Sequence, residues 1–345
     1  MNLNSDNVLG CAPEMLAAIA AVNEGAAVAY GGDAVTQRLR DVLAQFFDTP
    51  VDVFPVVSGT AANALALSAS VPPWGATWCH EFAHAHCHEM GATEFYGGGA
   101  KMVPISGPNG KLVPSDTDHA IGEADSMMAQ PACLSITQCT EAGTVYTLDE
   151  IRAFGAIARR RGLVLHMDGA RFANGAAALG CSPADMTWRA GVDILSFGAT
   201  KNGAMAAEAI VVFRHDLSAT LEARRTRGGH VLSKARFVSA QIEAMYGTDL
   251  WLRNARHAND AAAYLWSRLE GLPGVQLARP VETNHVFLHL PAGVADAVRA
   301  AGHVFEDWAK FGRDVVRLVT GFNTRREDLD AFVSDFARAC GGVRT

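Results

Sequence analysis

The chain has 345 residues, 49% hydrophobic and 19% charged, with a formal net charge of −7. Length and apolar content suit a large globular unit with a smaller one attached and exclude a disordered chain, while the acidic balance disfavours nucleic acid or an anionic membrane as partner. Seven cysteines without a CxxC pair read as reduced thiols, and neither a membrane-length apolar run nor a signal-peptide pattern is present, so a cytoplasmic location is expected.

In chain order, Ser5-Asp6-Asn7 precedes a helical pattern over 13–23. A glycine turn at Tyr30-Gly31-Gly32 then opens a helix with Leu39, Leu43 and Phe46 at helical spacing. A strand over 51–57 runs into Ser58-Gly59-Thr60 and an alanine-rich helix over 61–70. Free backbone N–H groups, two hydroxyls and a helix dipole converge at such a turn, which suits a phosphate. An ordinary helix cap uses the same residues.

A strand over 76–79 leads to a His-rich segment in which His80-Glu81-x-x-His84 matches the zinc-protease helix signature. The competing readings are a His ring stacked on a flat cofactor and purely structural histidines. Further strands are expected over 101–105 and 133–137, with helices over 114–129 and 148–161.

The stretch 163–203 holds two apolar runs of strand length, one ending in Asp168 and the other, 192–197, leading to Lys201. Both residues would emerge at strand carboxyl ends, where open α/β sheets bind ligands. A lysine there can form a Schiff base with pyridoxal phosphate while an aspartate keeps the ring nitrogen protonated. The alternative is a surface lysine and a strand-end cap.

A strand over 209–213 follows, then a basic segment, Arg224 to His230, read as solvated surface with a phosphate or subunit contact as the alternative. From about residue 250 a long helix links to a smaller unit with strands over 275–278, 284–290, 304–308 and 315–321 and helices over 294–301 and 325–339. Arg317 sits inside the last strand, where a charge needs a partner, either a structural ion pair or a substrate carboxylate.

Taken together, His166-Met167-Asp168-Gly169-Ala170-Arg171, Ser196-Phe197-Gly198-Ala199-Thr200-Lys201-Asn202-Gly203, the Ser5-Asp6-Asn7 opening, the Ser58-Gly59-Thr60 turn and Ala83-His84 resemble the threonine aldolase family. The resemblance covers nearly the whole chain. It implies an α/β fold, fold type I among pyridoxal-phosphate enzymes. A mostly parallel central sheet would lie in a large domain (1–250), beside a smaller C-terminal α/β domain (251–345).

The resemblance also implies roles. Lys201 would be the Schiff-base lysine, Asp168 the partner of the ring nitrogen and His84 the residue stacked on the ring. Ser58, Gly59 and Thr60, helped by Thr200, would hold the phosphate. Arg171, Arg317 and Ser5 would bind the substrate carboxylate. Tyr30 and a base near Lys234 would reach the site from a neighbouring subunit in a homodimer or homotetramer. The implied activity is cleavage of L-threonine, L-allo-threonine or phenylserine-type substrates to glycine and an aldehyde, with His84 or His88 as base and no metal. β-Elimination or transamination on the same cofactor is the alternative within the fold, and a zinc hydrolase the alternative outside it. The loop Gln138-Cys139-Thr140-Glu141-Ala142-Gly143 lacks a histidine that many relatives carry, and His88 stands where many have an aromatic residue.

Overall fold

The computed structural model describes residues 1–342. Among the described residues, eleven strands form two sheets. The larger contains β1 (Asp52–Val56), β2 (Gly75–His80), β3 (Lys101–Ile105), β4 (Gln130–Thr137), β5 (Val164–Gly169), β6 (Ile194–Gly198) and β7 (Glu208–Val212), in the order β1-β7-β6-β5-β4-β2-β3. Only β7 runs against the rest, so the carboxyl ends of the other strands gather on one edge. The smaller sheet is antiparallel, with β8 (Gln276–Leu277), β9 (His285–His289), β10 (Glu306–Asp307) and β11 (Val315–Val319) in the order β10-β11-β9-β8.

Strand residues alternate between two cores, as a pleated sheet buried on both sides requires. Leu165, Met167, Leu195 and Phe197 face one core with the helices Ala34–Phe47 and Leu148–Arg161. Val164, Ile194, Ile210 and Val212 face the other, covered by the alanine-rich helix Gly59–Ser70. Asp168, two pleats beyond Val164, therefore points to the side of that helix. The last three residues of the expected 251–345 unit lie outside the described residues. At the other end of the chain, Leu3 is buried in the core of the smaller sheet and its N–H bonds Val304 O at 2.8 Å.

Most expected elements are present with small changes at their ends, and the helix Leu148–Arg161 matches its expected bounds. The helix expected over 114–129 stops at Gly122, because Asp125 turns its carboxylate back onto the Met127 N–H at 2.8 Å and closes a local turn instead. The basic segment expected as solvated surface is partly internal. Arg225 is buried, with Nε donating to Pro55 O, which pins the helix Ser218–Arg227 against β1.

Candidate active site

A cavity opens at the gathered strand ends, lined by Ser58, Thr60, Asn63, His84, Asp168 and Lys201 among others. Each arrives for a local reason. Ser58 is extended and caps the alanine-rich helix, its hydroxyl accepting from Ala61 N at 3.2 Å. The Gly59 and Thr60 N–H groups follow at the positive end of a twelve-residue helix. A Cβ on Gly59 would meet nothing within 4 Å, so this corner has room for an added group.

Asp168 closes β5 in the middle of the sheet, and Lys201 lies in the 3-10 turn Thr200–Asn202 just after β6. Gly198 lets these two strand ends approach: a Cβ there would lie 2.6 Å from Ala170 O. Behind β6, Phe197 packs on Phe47, Phe172 and Tyr246, and the Tyr246 hydroxyl donates to Gly198 O. That cluster fixes the strand from which Lys201 projects. On the cavity face, buried His166 bridges Ser135 Oγ on β4 (2.8 Å) and Ser196 Oγ on β6 (2.9 Å), and burial pushes its imidazole down to about 4.

His84 starts a one-turn helix, His84–Cys87. The helix ends at His88, whose φ of −129° and ψ of 8° leave the helical range, and Glu89 then lies against the imidazole. Glu89 Oε1 lies 2.8 Å from His84 Nδ1 and accepts from Asn63 Nδ2 at 2.9 Å, and Asn63 Nδ2 also reaches Asp168 Oδ2 at 2.9 Å. The hydrogen bond to Glu89 holds His84 above the usual imidazole value despite partial burial. Burial pushes the Glu89 carboxyl up, while the bonds from His84 and Asn63 pull it down.

His88 goes the other way. Burial, Lys310 and His84 lower it, and its Nε2 lies 2.6 Å from Lys310 Nζ. Burial also drives Glu208, another cavity residue, up to about 7 against the pull of Thr200 and Lys201.

The outer part of the cavity is lined by Asn4, Ser5, His88, Glu306, Trp308 and Arg317, with Arg171 and Lys201 at its floor. Arg171 Nε and Nη2 are held by Asp6 at 2.7 and 2.8 Å, a buried bidentate pair. Burial disfavours the Asp6 carboxylate, but Arg171 and Lys201 more than compensate and lower it. Arg317 donates to Glu306 and to Asn4 O, stacks on the Trp308 ring, and keeps a buried Nε without a hydrogen-bond partner.

The structure thus brings Ser5, Ser58, Gly59, Thr60, His84, His88, Asp168, Arg171, Thr200, Lys201 and Arg317 to one cavity system. The Thr200 hydroxyl is engaged within its own loop, bonding Ala207 N and O. Tyr30 and Lys234 are not brought there. Both are exposed, and Tyr30 N bonds Ser233 O at 3.0 Å, so they share a surface outside the cavity. The zinc signature is not on a helix: His80 ends β2, its Nδ1 accepts from Phe82 N and its Nε2 contacts Gly107 O. With both ring nitrogens committed to backbone, that alternative loses its first ligand.

Sequence reasoning missed Asp6 as the partner of Arg171, and also Asn63, Glu89 and Glu208. A polar Asn inside the apolar run from Ala61 to Leu67 was a usable signal for Asn63; the others carried none.

Residues 2–292 match the family model described as Beta-eliminating lyase. The low specificity L-threonine aldolase of Pseudomonas aeruginosa is 41% identical, over 98% of this chain and 97% of its own. That of a Pseudomonas species is 40% identical over 96% and 95%. The solved structure of a Leishmania major threonine aldolase superposes with a TM-score of 0.92 at 28% identity, covering 98% of this chain and 99% of that one. A putative L-allo-threonine aldolase from Listeria monocytogenes shares the fold, with a TM-score of 0.74 at 18% identity.

Proposed function

The chain belongs to the Beta-eliminating lyase family, and we propose from that premise that it is a pyridoxal-phosphate-dependent aldehyde-lyase. It cleaves L-threonine or L-allo-threonine to glycine and acetaldehyde, and phenylserine-type analogues to the corresponding aldehyde. The observation that carries the reading is the shared cavity of Lys201, Asp168 and the Ser58–Thr60 helix start, an amine, an acid and a phosphate cradle in one pocket. The unpartnered buried Nε of Arg317 fits the same assignment, because a guanidinium in that state calls for an anion.

Pyridoxal phosphate, when bound, supplies an electron-withdrawing ring that takes up the electron pair released as Cα–Cβ breaks. Lys201 Nζ would hold its aldehyde carbon, Asp168 its ring nitrogen, and the N–H groups of Gly59 and Thr60 with the Ser58 hydroxyl its phosphate. Arg317, with the part of Arg171 that Asp6 leaves free, would orient the substrate carboxylate, and Ser5 would border it. His84 is the better base for the β-hydroxyl. Its Nδ1 is committed to Glu89, among the described residues no hydrogen bond occupies Nε2, and its affinity for a proton is raised. His88 has Nε2 engaged by Lys310 and is a weaker base.

The exposure of Tyr30 and Lys234 supports a homodimer or homotetramer in which a neighbouring subunit presents them. No helix among the described residues is long and apolar enough to cross a membrane, and a cytoplasmic location is part of the proposal.

The test is direct. Purified protein should absorb in the visible, borohydride should fix a pyridoxyl group on Lys201, and L-threonine should yield acetaldehyde and glycine in equal amounts. 2-Oxobutyrate with ammonia would instead indicate elimination. Lys201→Ala should lose both the fixed chromophore and turnover; normal turnover in that variant would refute the assignment.

A further inference from the structure

Glu89 is a deeply buried acid of the cavity to which no role has been assigned: its side chain is 0% exposed, against 38% for His84. A carboxylate in that position is costly to bury unless its bonds repay the lost hydration. Both known bonds converge on Oε1, from His84 and from Asn63, while Oε2 has no partner and Glu89 lines the cavity. Since the carboxylate is an acceptor only, the pairing places the imidazole proton on Nδ1 and leaves the Nε2 lone pair free.

We propose that Glu89 is the positioning residue of His84, fixing its tautomer and ring plane and, through Asn63, tying that ring to Asp168. The inference rests on the assignment of His84 as base. It resembles the general logic of a carboxylate–histidine pair, in which the acid orients the ring and stabilises the imidazolium formed when the base takes a proton. Here the tie to Asp168 gives the ring and the acid opposite Lys201 a common mount: Asn63 Nδ2 bridges two carboxylates from one helix position.

The groups that face His84 set what a substitution should do. Glu89 and His88 belong to its own segment, Glu141 comes from the loop after β4 and Asp168 from β5. Glu141 and Asp168 remain in a Glu89→Gln variant, so any change in His84 titration reports the lost Glu89 charge. Removing that charge lowers the proton affinity of the imidazole, so its neutral form persists to lower pH.

The experiment uses two variants and two readouts. In the holoenzyme, Glu89→Gln should lower kcat for L-threonine by about 10²-fold or more, with KM little changed. The acid limb of kcat/KM should move to lower pH. Glu89→Asp, which keeps the charge, should keep that limb nearer the wild-type position. In cofactor-free protein, 15N spectra of His84 should show a Nδ1–H tautomer in the wild type, and a lower titration midpoint with less of that tautomer in Glu89→Gln. A Glu89→Gln protein with the wild-type midpoint and tautomer would overturn the proposal. So would a loss of melting temperature with the acid limb unmoved in both variants. If wild-type protein neither binds pyridoxal phosphate nor cleaves threonine, the functional reading fails, while the spectra still decide the role of Glu89.

Discussion

At the scale of single residues, Asp6 shows how a neighbour 165 positions away redefines a side chain. Arg171 carries the motif that suggests carboxylate binding, yet two of its donors are spent on Asp6, which also accepts from Asn284 Nδ2 at 3.1 Å and from Ser5 Oγ at 3.4 Å. Breaking a buried pair by removing one partner costs about 3–5 kcal/mol. Asp6→Asn should lower stability by about 3 kcal/mol and raise KM for threonine, as Arg171 loses its fixed orientation. The folded-state carboxyl lies below its usual value, so its stabilisation is complete above the unfolded pKa of about 4 and is lost as pH falls toward the folded one. Calorimetry from pH 7 to 3 should therefore show a constant gap between wild type and variant down to about pH 4, then a narrowing gap.

At the scale of elements, the helix Leu148–Arg161 is specified locally at both ends. Thr147 caps it by accepting from Glu150 N at 3.2 Å, Glu150 returns to Thr147 N at 2.7 Å, and Gly162 ends it with φ +68°. Such a helix can be read from sequence because every one of these contacts lies within a few residues. Thr147→Ala should cost about 1 kcal/mol, measured by denaturant midpoint, and leave kinetics unchanged because Thr147 does not line the cavity.

The segment 84–91 behaves differently. His84 and Glu89 are five residues apart, a spacing that no continuous helix brings face to face, and the break in the helix at His88 is what makes them partners. The His80-Glu81-x-x-His84 pattern misleads for the same reason: a strand end and a turn occupy the place where the signature needs one helix.

At the scale of the whole molecule, the larger sheet holds the amine and the acid while the smaller unit supplies Arg317, Trp308 and Lys310 to the outer cavity. In the proposed reading, the larger unit would attach the cofactor and the smaller one would add Arg317 to the substrate-binding groups. Arg317→Ala should raise KM for L-threonine by about 10- to 100-fold, the equivalent of one charge-assisted hydrogen bond of about 1.5–3 kcal/mol. The visible absorbance of bound cofactor should be unchanged. A loss of cofactor with KM unaltered would place Arg317 elsewhere.

The sequence by itself determined the strand ends at Asp168 and Lys201, the Ser58–Thr60 helix start and the order of elements. Each depends on periodicity, caps and turns that act over a few residues. Only the tertiary structure decided that Asp6 claims Arg171, that Asn63 joins Glu89 to Asp168, and that Tyr30 and Lys234 lie outside their own chain's cavity. Those pairings span tens to hundreds of residues, and the choice among many polar partners is made by which buried groups the packed sheet leaves within hydrogen-bond reach.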